Sequence, residues 1–198
     1  MRNGKGNPLN SKRMHARLAQ GAPDIHFYHQ HKSPYGCFSN FYAAEIFLDG
    51  KKWPTTEHYF QAMKFPSDPA LVERVRTTST PSKAAAFGRD RRFPLRQDWN
   101  KEFVGADGRT TNTKLEVMRI ALRAKFDQHP LLRQTLLSTR GCKLVERTAN
   151  DHYWGDGGDG SGKNMLGKLL MGLRDSLLKE GEEKQQQEES RALLQASS

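Results

Sequence analysis

Five glycines fall within the eight residues from Gly155 to Gly162, and no other stretch restricts the chain as much. They lie in Asn150-Asp151-His152-Tyr153-Trp154-Gly155-Asp156-Gly157-Gly158-Asp159-Gly160-Ser161-Gly162-Lys163-Asn164. Glycine is poor in the interior of helices and strands, and so many in succession are costly to order. The segment runs into a predicted helix with Leu166, Leu170, Leu173 and Leu177 on one face. A Gly-rich loop at a helix N-terminus can cradle an anion with its backbone N–H groups. Gly157 to Lys163 fits the first part of a phosphate-loop pattern. Asn164, however, stands where that motif needs Ser or Thr for the metal, and no parallel βαβ series precedes it, so the NTPase reading is rejected. The aspartate intervals likewise rule out EF-hand and calcium-repeat loops. What remains is a backbone that presents Trp154 and Asp156, with Asn164 at a helix start. An indole suits stacking on a flat base; a carboxylate suits proton transfer or binding of sugar hydroxyls. The competing reading is a buried Trp with Asp capping the loop, and the cost of ordering the glycines favours function.

The second informative stretch is Thr55-Thr56-Glu57-His58-Tyr59-Phe60-Gln61-Ala62-Met63-Lys64-Phe65. Trp53-Pro54 stops the preceding segment, and Thr55 or Thr56 is a good N-cap. At helical spacing Glu57, Gln61 and Lys64 share one stripe, with Tyr59 and Met63 nearer the other side. Glu57 and Lys64 then lie about 10 Å apart along the axis, too far for a simple salt bridge and suited to flanking a sugar ring. The plainer alternative is a surface helix whose end charges complement its dipole.

The remaining elements are short. Ile25 to Tyr28 is β-prone. His26, His29 and His31 follow at close spacing but lack a second ligand cluster, so no metal site is expected. Ser33 to Gly36 reads as a turn, after which Ser39 and Asn40 sit between Phe38 and Phe41. Ala44 to Leu48, Asp49-Gly50 and Lys51 to Trp53 read as a hairpin. Helices are predicted over Pro69 to Arg76, Pro81 to Phe87 with Gly88 as the stop, Thr113 to Phe126, and Leu131 to Leu137. In the helix from Thr113 to Phe126, Leu115, Met118, Leu122 and Phe126 form the apolar stripe, with Ala121 and Lys125 beside it. Lys143 to Arg147 is a strand candidate. Arg89, Arg91, Arg92 and Arg96 could fork onto phosphate oxygens or form an ordinary basic loop.

The pattern gives an α+β fold: a single compact, mostly helical domain with a few short strands over residues 25–178. Residues 1–24 read as a basic, disordered extension and 179–198 as a polar, frayed tail. The net charge is +10; +4 falls in 1–24 and −2 from Lys179 onward, leaving +8 in the folded part. That excess points to an anionic partner, a phosphate-bearing ligand or nucleic acid. Two cysteines make no disulfide framework, and no run is long and apolar enough to span a membrane. The expected location is cytoplasm or nucleus. A mitochondrial transit reading of residues 1–24 is weakened by their scarcity of Ser.

Ser39-Asn40-Phe41, the Trp53-to-Phe65 stretch, Gly88-Arg89, Leu122 to Phe126 and Tyr153 to Gly158 together resemble the NADAR family, whose members include the YbiA-like N-glycosidases. The resemblance covers residues 25 to 178. It implies hydrolysis of N-glycosidic bonds, with removal of ADP-ribose from guanine in one branch and cleavage of phosphoribosylamino-pyrimidine intermediates of riboflavin synthesis in another. It implies catalytic roles for Glu57 and Asp156, a part for Trp154, and a lysine nucleophile placed on Lys64. Ser39, Asn40, Gln61, Arg89, Tyr153, Trp154, Gly157, Gly158, Lys163 and Asn164 are the expected substrate contacts. The expected partner is an ADP-ribosylated guanine nucleoside or nucleic acid, or a ribose-phosphate small molecule. No cofactor, metal or obligate protein partner is expected. A non-catalytic reader of ADP-ribose or NAD is the alternative of another class; the joint presence of Glu57, Lys64 and Asp156 argues against it.

Overall fold

The computed structural model describes residues 22–32, 34–106 and 108–196. The expected N-terminal extension therefore lies almost wholly outside the described residues. The elements in chain order are β1 (Ile25–Phe27), a 3-10 turn (Tyr35–Phe38), β2 (Ile46–Leu48), β3 (Lys51–Trp53), α1 (Thr56–Ala62), α2 (Pro69–Arg76) and α3 (Pro81–Arg89). They continue with β4 (Glu102–Val104), β5 (Thr110–Asn112), α4 (Thr113–Gln128), α5 (Pro130–Leu137), β6 (Leu144–Glu146) and α6 (Met165–Ala196). The fold is α+β and mostly helical, and its three sheets have two strands each: β1–β6 parallel, β2–β3 and β4–β5 antiparallel. No described helix is long and apolar enough to cross a membrane.

Helix α1 is the centre. All seven of its residues are buried, and it packs against α2, α3 and α4. It starts where Thr55 Oγ1 accepts the His58 N–H (3.3 Å). The His58 ring is held by Thr55 Oγ1 (2.8 Å) and the Thr78 carbonyl (3.1 Å), which ties α1 to the turn between α2 and α3. The β2–β3 hairpin turns through Asp49 (φ 51°) and Gly50 (φ 73°), both left-handed as the tightest hairpin turn requires. Trp53 and Tyr59 then meet edge to face at 5.2 Å. The expected stripe of α4 is buried: Leu115, Met118, Leu122 and Phe126 all belong to the core.

Three expectations are corrected. Gly88 does not stop α3, which continues through Arg89 to a cap at Asp90. A Cβ at Gly88 would strike the Gln61 side-chain oxygen, so the glycine serves the approach of α3 to α1 rather than a helix terminus. Second, residues after Leu178 are helical as far as Ala196. Arg123 binds Glu180 through Nη1 (2.6 Å) and Nη2 (2.9 Å), Arg140 reaches Glu182 (3.4 Å), and Lys179 reaches Glu183 one turn on (3.7 Å). Third, Lys125 does not flank the buried stripe but is itself wholly buried. The β4–β5 hairpin carries no strong strand signal; Val104 is 69% exposed, so its pairing is not driven by a buried face.

Candidate active site

A cleft of about 580 Å³ opens beside α1. Its walls are Glu57, Phe60, Gln61 and Lys64 from α1 and the turn after it; Ser39, Asn40 and Phe41; Arg89 from α3; Trp99; Lys114 and Met118 from α4. Tyr28 and His29, just past β1, face Glu146, Asp151 and Trp154, at and beyond β6. The carboxyl ends of both parallel strands therefore open into the cleft.

The Ser39-Asn40 loop is fixed from two sides. Thr56 Oγ1 donates to the Asn40 carbonyl and Oδ1 (3.1 Å each), and the Glu57 N–H donates to the same carbonyl (3.2 Å). From behind, Lys125 Nζ donates to the Ser39 carbonyl (2.9 Å). Burial pulls the Lys125 ammonium down to about 7, opposed only by the Cys37 side chain beside it.

The reactive groups are held in unusual protonation states. Burial pushes the Glu57 carboxyl above its ordinary value, and the Gln61 hydrogen bond with the charges of Lys64 and Arg89 only partly offsets this. A position in the first turn of α1 would by itself lower the carboxyl; desolvation wins here. Burial pulls Lys64 down to about 8, against Glu57 and with help from Arg91, Arg89 and Lys114. Its Nζ donates to the Gly88 carbonyl (3.1 Å) and lies 5.5 Å from the Phe60 ring centroid and 5.9 Å from that of Trp99. Burial, then Asp151, Glu57 and Asp156, push Glu146 up to about 8.

Two buried side-chain oxygens among the described residues lack a hydrogen-bond partner: Gln61 Oε1 and Glu146 Oε2. Both residues line the cleft. Buried polar atoms are nearly always paired, so an orphan in a cleft marks where a ligand atom would complete the bonding. Gln61 Nε2 is already spent on Glu57 Oε1 (2.7 Å).

Of thirteen residues expected at the site, the structure brings seven to the cleft: Glu57, Lys64, Ser39, Asn40, Gln61, Arg89 and Trp154. Six do not line it. Asp156 is buried, and its Oδ1 accepts the N–H groups of Thr148 (3.0 Å) and Gly158 (2.9 Å). Burial would raise that carboxyl, but these N–H groups and nearby Arg147 hold it below its usual value. Gly157 (φ 74°) and Gly158 (φ 84°) supply left-handed backbone for the loop. Asn164 bridges strand β6, accepting the Glu146 N–H at Oδ1 (3.0 Å) and donating from Nδ2 to the Leu144 carbonyl (2.8 Å). Tyr153 lies beneath Lys114 Nζ (3.5 Å from the ring centroid) and Lys163 Nζ (5.6 Å); of these two lysines Lys114 lines the cleft and Lys163 does not.

Of the four arginines from the last residue of α3 onward, Arg92 pairs with Asp90 and Arg96 with Asp98. Arg89, which lines the cleft, and Arg91, which does not, make no ion pair among the described residues. Sequence reasoning missed Glu146 and Asp151. Asp151 Oδ1 accepts the N–H groups of Tyr153 (2.8 Å) and Trp154 (2.7 Å), an Asx turn that aims the indole. An Asp two residues before an aromatic pair was the available signal. Glu146 gave none, because a strand-end Glu looks like any solvated carboxylate.

Desolvated carboxyls, a lysine with a lowered value, an indole and an arginine thus meet in one cleft. The NADAR domain family matches residues 26–178. N-glycosidase YbiA of Escherichia coli is 54% identical over 153 residues, which cover 77% of this chain and 88% of that protein. The maize riboflavin biosynthesis protein PYRR, chloroplastic, is 39% identical over 158 residues, covering 73% of this chain and 24% of that longer protein. The solution structure of E. coli YbiA superposes with a TM-score of 0.70 at 52% identity, over 80% of this chain and 87% of the other. The chain belongs to the NADAR family. It is an enzyme of the N-glycosidase class, a hydrolase of N-glycosyl bonds.

Proposed function

We propose that the enzyme cleaves the bond between ribose C1 and an exocyclic base amine, and that its first substrate is guanine carrying ADP-ribose, in a nucleoside or in nucleic acid. The observation that carries this reading is Lys64, a desolvated lysine held at about 8 within the same cleft as Glu57 and Trp154. At pH 7 about one Lys64 amine in ten is neutral, against about one in three thousand at the ordinary value. A neutral amine can act as nucleophile.

In a glycosylamine the exocyclic nitrogen can expel ring oxygen O4 from C1, with O4 taking up a proton. Lys64 Nζ then adds to C1, the base amine leaves, and water releases the sugar from the lysine imine. In this reading Glu57, whose carboxyl shares the cleft with Lys64, shuttles protons during attack and hydrolysis. Trp154 presents an indole face for the base. Arg89 and Arg91 supply two uncommitted guanidiniums, enough for a diphosphate. Asp156, expected to orient ribose hydroxyls or assist water, supports the site by ordering the loop.

A second reading, hydrolysis of a phosphoribosylamino-pyrimidine, is favoured by the name of the maize relative. The two are separated by incubating the protein with ADP-ribosylated guanine DNA and, separately, with the riboflavin-pathway intermediate. Release of ADP-ribose supports the first reading and release of ribose 5-phosphate the second. Binding without release from either would leave a non-catalytic reader.

A further inference from the structure

We propose that Glu146 is the catalytic acid that hands its proton to the departing exocyclic amine. The inference rests on the N-glycosidase reading of the cleft and adds to it a residue with no sequence signal. Whichever group attacks C1, the C1–N bond must break, and an amide-like base nitrogen leaves poorly without a proton. In the overall reaction water supplies OH to C1 and a hydrogen to the nitrogen. The acid donates first and is reprotonated when water is split.

The geometry singles out Glu146 for this step. It lines the cleft, and its Oε2 is buried with no hydrogen-bond partner. Its backbone is held at two points by the Gly-rich loop and its end, the N–H by Asn164 Oδ1 (3.0 Å) and the carbonyl by the Asp156 N–H (2.9 Å), and two residues earlier the Leu144 carbonyl accepts from Asn164 Nδ2 (2.8 Å). Asp156 and Asn164, absent from the cleft, are positioning residues for this carboxyl.

The charges around Glu146 set its state. Burial first, then Asp151 and Asp156 from the loop and Glu57 from α1, disfavour its ionised form; Lys64, Arg89 and Lys114 line the same cleft. Its carboxyl therefore keeps the proton to about pH 8 and is available as an acid at neutral pH. Glu57 is oriented by Gln61, while Glu146 Oε2 carries no such bond. The two carboxyls thus have separate tasks.

The test compares wild type and E146Q on two substrates: the amine-linked substrate, and 4-nitrophenyl ribofuranoside 5-phosphate, from whose C1 the phenolate is displaced directly by Lys64 or water, with no ring opening and without a proton from an acid. We expect kcat on the amine-linked substrate to fall about 10²–10⁴-fold with little change in KM. Cleavage of the nitrophenyl substrate should stay within a few-fold of wild type, which also shows that the variant is folded. The alkaline limb of the wild-type kcat profile, near pH 8, should vanish in E146Q. Full activity of E146Q on the amine, or equal loss on both substrates, overturns the assignment while leaving the N-glycosidase reading intact. A wild-type protein that cleaves neither substrate refutes that reading, and the acid with it.

Discussion

Helix α1 and the loop from Arg147 to Asn164 use polar residues in opposite ways. In and just after α1, Glu57, Gln61 and Lys64 point side chains into the cleft, while the backbone is satisfied by the helix itself. In the loop, Asp151, Asp156 and Asn164 spend their side chains on backbone groups. The glycines leave the loop without a regular ladder, so side chains must do what hydrogen-bonded turns do in α1. Polar residues that look alike in sequence can therefore act at different removes from the cleft: α1 lines it with side chains, and the loop supplies the geometry that holds Trp154 and Glu146.

The comparison breaks most sharply at Lys64. Replacing it with Ala should lower kcat by at least about 10³-fold, since the nucleophile is gone, yet leave thermal stability unchanged or raised, because a desolvated amine is removed. Borohydride should trap substrate on wild type and not on K64A. An active K64A with no adduct in wild type would replace the lysine route by direct water attack.

A buried lysine behind the cleft sharpens the contrast from the side of stability. Lys125 has a folded-state value of about 7 against 10.5 for an ordinary lysine. Between those values the unfolded chain holds one more proton than the folded one, so this residue's contribution to stability rises with pH and is poorest below 7. Relative to K125M, the wild type should gain at most about 1.4 kcal/mol per pH unit between pH 7 and 9, or nearly 3 kcal/mol in all. Denaturant melts of both proteins at several pH values measure the gap; a constant gap would place the charge of Lys125 elsewhere.

Asp156 tests the loop half of the comparison. D156A leaves the Thr148 and Gly158 N–H groups without their acceptor and should cost about 1–3 kcal/mol of stability. Because the loop aims Glu146, kcat on the amine-linked substrate should fall more than cleavage of the nitrophenyl substrate. Equal falls on both would mean that the loop shapes the whole cleft and not one carboxyl.

What the sequence disclosed follows the same division. The caps at Thr55, Asp68, Thr80 and Asn112 each accept an N–H at a helix start, and the helices begin where such local signals place them. The stripe of Glu57, Gln61 and Lys64 was legible because helical spacing alone puts these residues together. Gly88 misled, since glycine marks both a helix stop and a close approach, and only the position of Gln61 distinguishes them. Glu146 was invisible because its meaning depends on burial and on partners 10 and 18 residues away, Asp156 and Asn164. The polar C-terminal segment looked frayed because its helix draws on partners outside its own stretch of chain: Arg123 in α4 and Arg140 beyond α5.

The smallest expected effect lies at the start of α1, where the local and distant readings of a polar side chain meet in one residue. Thr55 Oγ1 accepts the His58 N–H and also contacts the His58 ring. If α1 owes its position to local capping, T55A should cost about 1 kcal/mol, the usual loss of an N-cap, with kcat unchanged. Burial already lowers the His58 ring below its usual value, so a neutral ring must keep a partner; the Thr78 carbonyl is one that T55A leaves in place. The helix should therefore stay put, and Glu57 and Lys64 with it. Urea melts and the kcat of T55A measure the two quantities separately. A loss of kcat out of proportion to the loss of stability would show that the placement of α1's reactive groups, like that of Glu146, hangs on one side chain, and the contrast between the two regions would fail.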